Sequence, residues 1–230
     1  MKKFILVNLL SFTFIGGLIA EALLIPSTAE LEVKAGNFSL DMEVALIETD
    51  GIWEVSSKVK GVASREEKET FILNDESILP IDYSRKQRIL FRKSESKAIF
   101  NWDDEVLTFK ENRKKGSLDL IKGVLGPSSA TLKLRIDVKL LGLDNLPNII
   151  KYKVYYNKEI KERTYEFKGL EKISTPMGDI EALKVSRVFL KGENRKQIYW
   201  LSPKYDFSIV KIIDESAERK SDVRIKSISF

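Results

Sequence analysis

The stretch FSLDMEVALIETDGIWEVSSKV, residues 38–59, decides the fold class of this chain. Apolar side chains occupy every second position over 38–46, and mostly apolar ones do so again over 53–59, with polar neighbours between them. Such alternation is typical of β-strands that bury one face. Asp50-Gly51 separates the two runs, and Asp-Gly in this position strongly indicates a β-hairpin.

The same alternation recurs along the rest of the chain. It predicts further strands at 68–74, 87–93, 97–102, 105–110, 150–157, 162–168, 180–190, 195–201, 206–214 and 222–229. Strands at this spacing, joined by short polar turns, are typical of antiparallel sheets that curl. We therefore expect a mainly β fold, either a curved antiparallel sheet or a partly closed β-barrel.

One segment gives conflicting signals. In ATLKLRIDVKLLGL (130–143) apolar residues alternate as in a strand, yet Pro127 and Ser128 resemble a helix start and Gly142 a helix end. We predict one short helix at about 127–141. The chain shows no repeat, low-complexity tract or linker, so residues 23–230 are expected to form a single β-rich domain.

The N-terminal segment has the features of a secretory signal peptide. Met1-Lys2-Lys3 is followed by an apolar run, and small residues then provide a cleavage site after Ala22, with Ala29 as the alternative. Residues 1–22 are thus predicted to be a signal peptide and the domain to be exported. The alternative is an uncleaved membrane anchor, because the apolar run approaches the ~20 residues that span a bilayer.

Composition excludes several kinds of function. The 230 residues carry a formal net charge of +5 and contain neither cysteine nor histidine. Disulfides, Ser-His-Asp and Cys-His catalysis, and histidine-bearing metal sites are therefore impossible. The charge is too small to indicate nucleic-acid binding. We expect no cofactor and no enzymatic activity.

Four stretches together resemble a known family. They are AIFNWDDEVLTF (98–109), GPSSATLKLRIDV (126–138), STPMGDIEALKVSR (174–187) and IYWLSPKYDFSIVKI (198–212). Their order and spacing are similar to those of domain-of-unknown-function family 3108, a group of exported bacterial envelope proteins. The resemblance implies a periplasmic location, or an inner-membrane anchor facing the periplasm, and it implies no catalytic residue. One departure is Gly126, where the resemblance leads us to expect an acidic residue.

Five residues are candidate ligand contacts, each with a structural alternative. Arg88 and Arg92 lie in a basic stretch that suits an anionic head group, or that simply keeps a sheet face soluble. Trp102 and Trp200 could line an apolar cavity or fill a core. Arg135 sits in an apolar segment, where it needs either a carboxylate partner or an anionic ligand.

These observations favour a non-enzymatic envelope protein that binds an amphipathic or anionic envelope component, such as a lipid. The alternatives are an envelope assembly factor that pairs with a protein partner and, less favoured, a carboxylate-dependent enzyme acting on glycans. The Asp103-Asp104 pair is a poor fit to the last, because adjacent strand residues point to opposite faces. Membrane contact is expected only through the N-terminal segment, if it is retained.

Overall fold

A computed structural model describes residues 22–61, 63–89, 92–190 and 192–230. The described residues form fifteen strands and one α-helix. The elements are β1 (Ser27–Ala35), β2 (Phe38–Thr49), β3 (Ile52–Lys60), β4 (Ala63–Asn74), β5 (Ser77–Ile89), β6 (Arg92–Asn101), β7 (Val106–Glu111), β8 (Lys114–Asp119), β9 (Val124–Leu125), α1 (Ser129–Leu141), β10 (Ile149–Tyr156), β11 (Glu159–Thr175), β12 (Gly178–Val188), β13 (Arg195–Ser202), β14 (Ser208–Ser216) and β15 (Lys220–Ser229).

All fifteen strands belong to one sheet. Its order is β8-β7-β6-β5-β4-β3-β2-β1-β15-β14-β13-β12-β11-β10-β9, so β1 and β15 meet in the middle. Neighbouring strands are antiparallel except β9 and β10, which are parallel. The edge strands β8 and β9 are at opposite ends of this order. The sheet is therefore not closed into a barrel. Together with the curvature described below, this confirms the predicted fold class.

The sheet curls around α1. The main core joins helix residues to side chains from strands far apart in the sheet order, such as Leu46 on β2, Phe71 on β4 and Leu201 on β13. A flat sheet could not bring these strands together, because five strands lie between β4 and β13 in the order. The concave face is thus the inside of the molecule, and α1 packs within it.

The predicted helix at about 127–141 is confirmed by α1, and its burial explains the conflicting pattern. Leu132, Leu134, Ile136 and Val138 are all buried, although their spacing distributes them around more than one side of a helix. A helix that is apolar on several sides is buried on several sides. The strand-like alternation therefore reflects a helix enclosed by a sheet.

The predicted hairpin at Asp50-Gly51 is confirmed, and a second hairpin joins β11 to β12. Asp50 and Gly51 join β2 to β3, both with positive φ, as a tight primed turn requires. Pro176 and Met177 join β11 to β12. In that turn the Thr175 hydroxyl accepts a hydrogen bond from the Met177 amide (3.1 Å), which fixes the register.

The predicted strand at 87–93 is wrong, because β5 ends at Ile89 and β6 begins at Arg92. Charged residues run through both strand ends. The sequence between them also has no Gly or Asn to indicate a tight turn. Strands β1, β8 and β9 were not predicted at all. β8 carries only one apolar side chain, Leu118, so no alternation marks it.

Glu69 on β4 anchors the start of α1. Its Oε2 accepts hydrogen bonds from the backbone amides of Ser128 (2.8 Å) and Ser129 (3.2 Å). A Cβ at Gly126 would lie 2.2 Å from the Glu69 Oε1 atom. The carboxyl group of Glu69 thus occupies the space that a side chain at position 126 would need. This explains why the residue at this position is glycine.

Candidate functional site

The concave face of the sheet encloses a pocket of about 510 Å³. One wall is apolar, because alternate side chains of β15, β1, β2 and β3 point into it. The register places Leu31 opposite Met42, and Met42 opposite Val59. Thr131 and Leu132 of α1 contribute to the lining. This volume lies in the range of small-molecule sites, roughly 300–1,000 Å³.

A row of polar side chains lines the pocket beside the apolar wall. Arg187 on β12 is opposite Gln197 on β13, which is opposite Asp214 on β14. Arg195 on β13 and Arg163 on β11 line the same end of the pocket. We call Arg163, Arg187 and Arg195 the arginine cluster. The pocket therefore has an apolar wall and a cationic end.

Hydrogen bonds link most of this row. Arg195 donates to both carboxylate oxygens of Asp214, with its Nη2 atom 3.0 Å from Oδ2 and its Nε atom 3.3 Å from Oδ1. Gln197 donates to Asp214 (3.2 Å) and accepts from Arg187 Nη1 (3.2 Å). Burial, followed by the positive charge of Arg163, lowers the pKa of Arg187. Asp214 is thus committed to Arg195 and Gln197.

Positive charge exceeds negative charge in the pocket. Among the described residues, six arginines and two carboxylates line it. The second carboxylate, Glu67, forms an ion pair with Arg65 and accepts a hydrogen bond from the Tyr83 hydroxyl (2.8 Å). Each of the two carboxylates therefore has its own partners within the protein.

A strongly perturbed carboxyl group lies outside this lining. Burial raises the pKa of Glu69 to about 7, against the opposing effect of hydrogen bonds from Ser129 and Ser128. A raised pKa in a cleft can mark a catalytic acid. Glu69, however, is fully buried under the N-terminus of α1, so its evident role is to hold the helix.

Of the five candidate ligand contacts, Arg135 lines the pocket. Its guanidinium group is buried and donates to the Asp206 backbone carbonyl (2.6 Å) and to Asp206 Oδ2 (2.5 Å). Lys139 Nζ donates to the other carboxylate oxygen of Asp206 (2.6 Å). Asp206 thus neutralises Arg135, and a ligand role for this arginine stays a prediction.

The two candidate tryptophans lie in other clusters. Trp102 is partly buried, packs beside Leu107 and donates from Nε1 to the Pro80 carbonyl (2.7 Å). Trp200 is buried with Ile173 and Ile180 in a separate cluster, and its Nε1 donates to Glu171 (2.6 Å). Neither indole lines the interior pocket, so their predicted ligand contacts stay predictions.

Arg88 and Arg92 are both exposed. Arg88 lines a surface groove with Lys86, Lys93 and Arg113, which adjoins the interior pocket through shared residues such as Arg65. Arg92 starts β6, opposite Ile89. The structure does not bring Arg88 and Arg92 into the interior, and their role in binding an anion also stays a prediction.

Sequence reasoning missed the arginine cluster, although the sequence carries a signal for it. Arg187 follows Leu183 and Val185 at every second position, and both of those residues are buried. Arg163 likewise precedes Tyr165 at the same spacing. An arginine that shares strand parity with buried residues points to the inside of a sheet.

The predicted signal peptide lies almost wholly outside the described residues, which begin at Ala22. Cleavage after Ala22 or after Ala29 stays a prediction. Within the described ranges, the structure contains no helix that is both long enough and apolar enough to cross a membrane.

Comparisons with known proteins place the fold and the family. A β-barrel-like protein of domain-of-unknown-function family DUF1849 from Brucella abortus is similar in structure, with a TM-score of 0.56, 9% sequence identity, and coverage of 89% of this chain and 97% of that one. At this identity the likeness concerns the fold alone. A putative lipoprotein from Parabacteroides distasonis has a TM-score of 0.34 and 12% identity, covering 89% of this chain and 95% of that one. No curated protein matched the chain.

The family comparison covers most of the sequence. Residues 27–217 match the family described as protein of unknown function (DUF3108). The match includes all four stretches on which the resemblance was based, and so the resemblance is confirmed. The protein belongs to family DUF3108, whose function is uncharacterised.

Proposed function

We propose that this protein is a non-enzymatic binding protein that holds an amphipathic component of the cell envelope in its interior pocket. The observation that carries the proposal is the pocket itself, which combines a continuous apolar wall with a polar end. An acyl chain gains free energy by leaving water, about 0.8 kcal/mol for each buried CH₂ group, and the wall offers such burial.

Export is part of the same proposal, stays a prediction, and is testable. Leu24 is buried in the main core. Cleavage after Ala22 keeps Leu24, whereas cleavage after Ala29 removes it together with the start of β1. We therefore expect intact-mass analysis of the exported protein to show Leu23 as the first residue. A mass that begins at Glu30, or that includes the whole N-terminal segment, would contradict this expectation.

The binding proposal is tested by native mass spectrometry with lipid extraction. The full-length sequence is expressed in a bacterial host and the protein is purified from the envelope under gentle conditions. We expect a co-purified lipid at about one molecule for each protein molecule. A ligand-free mass together with a crosslinked envelope protein would overturn the proposal and favour a protein partner.

Two serine variants provide a matched comparison on one strand. Ser57 lines the pocket, whereas its neighbour Ser56 points to the opposite face of β3. Ser57→Trp is expected to fill the pocket and abolish lipid co-purification, while Ser56→Trp leaves the lipid in place. Equal lipid content in the two variants would show that the lipid binds elsewhere.

A further inference from the structure

Arg163 is a buried cation that has no compensating charge among the described residues. Arg163 is only 8% exposed, and it lines the pocket. Its guanidinium carbon lies 5.3 Å from the centre of the Tyr156 ring, which gives it a cation–π contact. Among the described residues, neither a hydrogen bond nor an ion pair of this guanidinium group is present.

Arg187 adds a second incompletely satisfied cation. Its Nε atom is buried without a hydrogen-bond partner, and its guanidinium carbon lies 4.5 Å from the centre of the Phe189 ring. Its one polar contact within the described residues is the neutral amide of Gln197 (3.2 Å). Asp214 is already engaged by Arg195, so the two remaining arginines share no carboxylate.

An anion in the pocket would compensate the charge of this pair. Arginine keeps its proton in proteins, so neither residue can become neutral to avoid the cost of burial. A buried charge without a partner is among the most destabilising features of a protein interior. Guanidinium groups bind carboxylate and phosphate groups through paired, planar hydrogen bonds. Ring contacts with Tyr156 and Phe189 hold the two side chains in place for that purpose.

We propose that Arg163 and Arg187 form an anion subsite at the polar end of the interior pocket, and that the ligand is an amphiphile with a carboxylate or phosphate head group. The head group lies against the two arginines, and the acyl chain extends along the apolar wall beside Val33 and Ile212. This inference rests on the proposed function, because it assigns the polarity and orientation of the ligand within the same pocket.

A pair of probes separates the subsite from the pocket as a whole. A fluorescent long-chain fatty acid and its methyl ester share the same chain, but only the acid carries a charge at neutral pH. We expect the acid to bind about 10- to 100-fold more tightly than the ester, the range typical of charge-assisted hydrogen bonds. Inorganic phosphate should compete weakly with the acid and should not displace the ester.

Substitutions at Arg163 and Arg187 test whether these residues cause the difference in affinity between the acid and the ester. Arg163→Met and Arg187→Met are expected to reduce the affinity for the acid to that of the ester. Arg224→Met, next to the pocket-lining Val223 but on the opposite face of β15, should leave both affinities unchanged. Arg163→Met should also raise the urea midpoint of the ligand-free protein, because it removes an uncompensated buried charge. A purely structural role for Arg163 would instead lower that midpoint.

The binding results distinguish a failure of the anion subsite from a failure of the proposed function. If the acid and ester bind equally well and Arg163→Met changes neither, the anion subsite is refuted while the proposed function stands. If neither probe binds, the proposed function itself fails. If inorganic phosphate alone binds as tightly as the fatty acid, the site takes a free anion, and the assignment of an amphiphile is overturned.

Discussion

Replacing Glu69 with glutamine is expected to remove a pH dependence from the folding stability. In the folded protein, burial raises the pKa of this carboxyl group from 4.5 to about 7. A raised pKa means that the fold prefers the protonated group. The stabilisation is therefore fully present below about pH 4.5, is lost as the pH rises, and is absent above about pH 7.

The magnitude follows from the size of that shift. A difference of one pKa unit corresponds to about 1.4 kcal/mol, so the change from 4.5 to about 7 predicts a loss of roughly 3 kcal/mol across this window. Glutamine has the same shape, stays neutral, and keeps an oxygen that can accept the Ser128 and Ser129 amide hydrogens. Above pH 7 the variant should therefore be more stable than the wild-type protein.

Urea unfolding followed by tryptophan fluorescence, at a series of pH values from acid to neutral, measures this effect. The informative quantity is the difference in the free energy of unfolding between Glu69→Gln and wild type, because other titrating groups cancel in it. Glu66→Gln, at an exposed position on the same strand, is the matched control for the loss of a carboxyl group. A difference for Glu69→Gln that stays constant over the whole pH range would refute the reasoning.

Two further substitutions test the packing around α1. Gly126→Ala should destabilise the fold by about 1–3 kcal/mol, because its Cβ would clash with the Glu69 carboxylate, and the loss should shrink when Glu69→Ser is added. Additive losses in a double-mutant cycle measured by urea unfolding would contradict this. Asp206→Asn should cost about 3 kcal/mol, since it leaves the buried Arg135 and Lys139 without this carboxylate, while asparagine still tolerates the positive φ at this position. A loss below about 0.5 kcal/mol would show that Asp206 does not stabilise these cations.

The parts of the fold that could be predicted are those determined by residues close together in the sequence. Alternation is visible wherever a strand buries one face against the core, as in β2 and β12, and the Asp50-Gly51 turn can adopt few other conformations. The meeting of β1 with β15 depends instead on residues far apart in the sequence, such as Thr28 and Ser229. No local pattern encodes that contact, and it makes the two halves of the chain one sheet.

The candidate site was less predictable for a related reason. Tryptophans and runs of basic residues are conspicuous in the sequence, yet Trp200 is packed in a core cluster and Arg88 is exposed to solvent. The members of the arginine cluster are inconspicuous because each lies on a different strand. Only the register of β11, β12 and β13 brings Arg163, Arg187 and Arg195 to one end of the pocket.

The pocket depends on a helix that the sheet holds at two points. At its start, Glu69 accepts hydrogen bonds from the amides of Ser128 and Ser129. In its second half, Asp206 accepts from Arg135 and Lys139. Because α1 supplies part of the pocket lining, a change at either carboxylate should weaken ligand binding without touching the ligand. Such an effect would lower the affinities for an acid probe and its ester equally, whereas loss of the arginine cluster would lower only that for the acid.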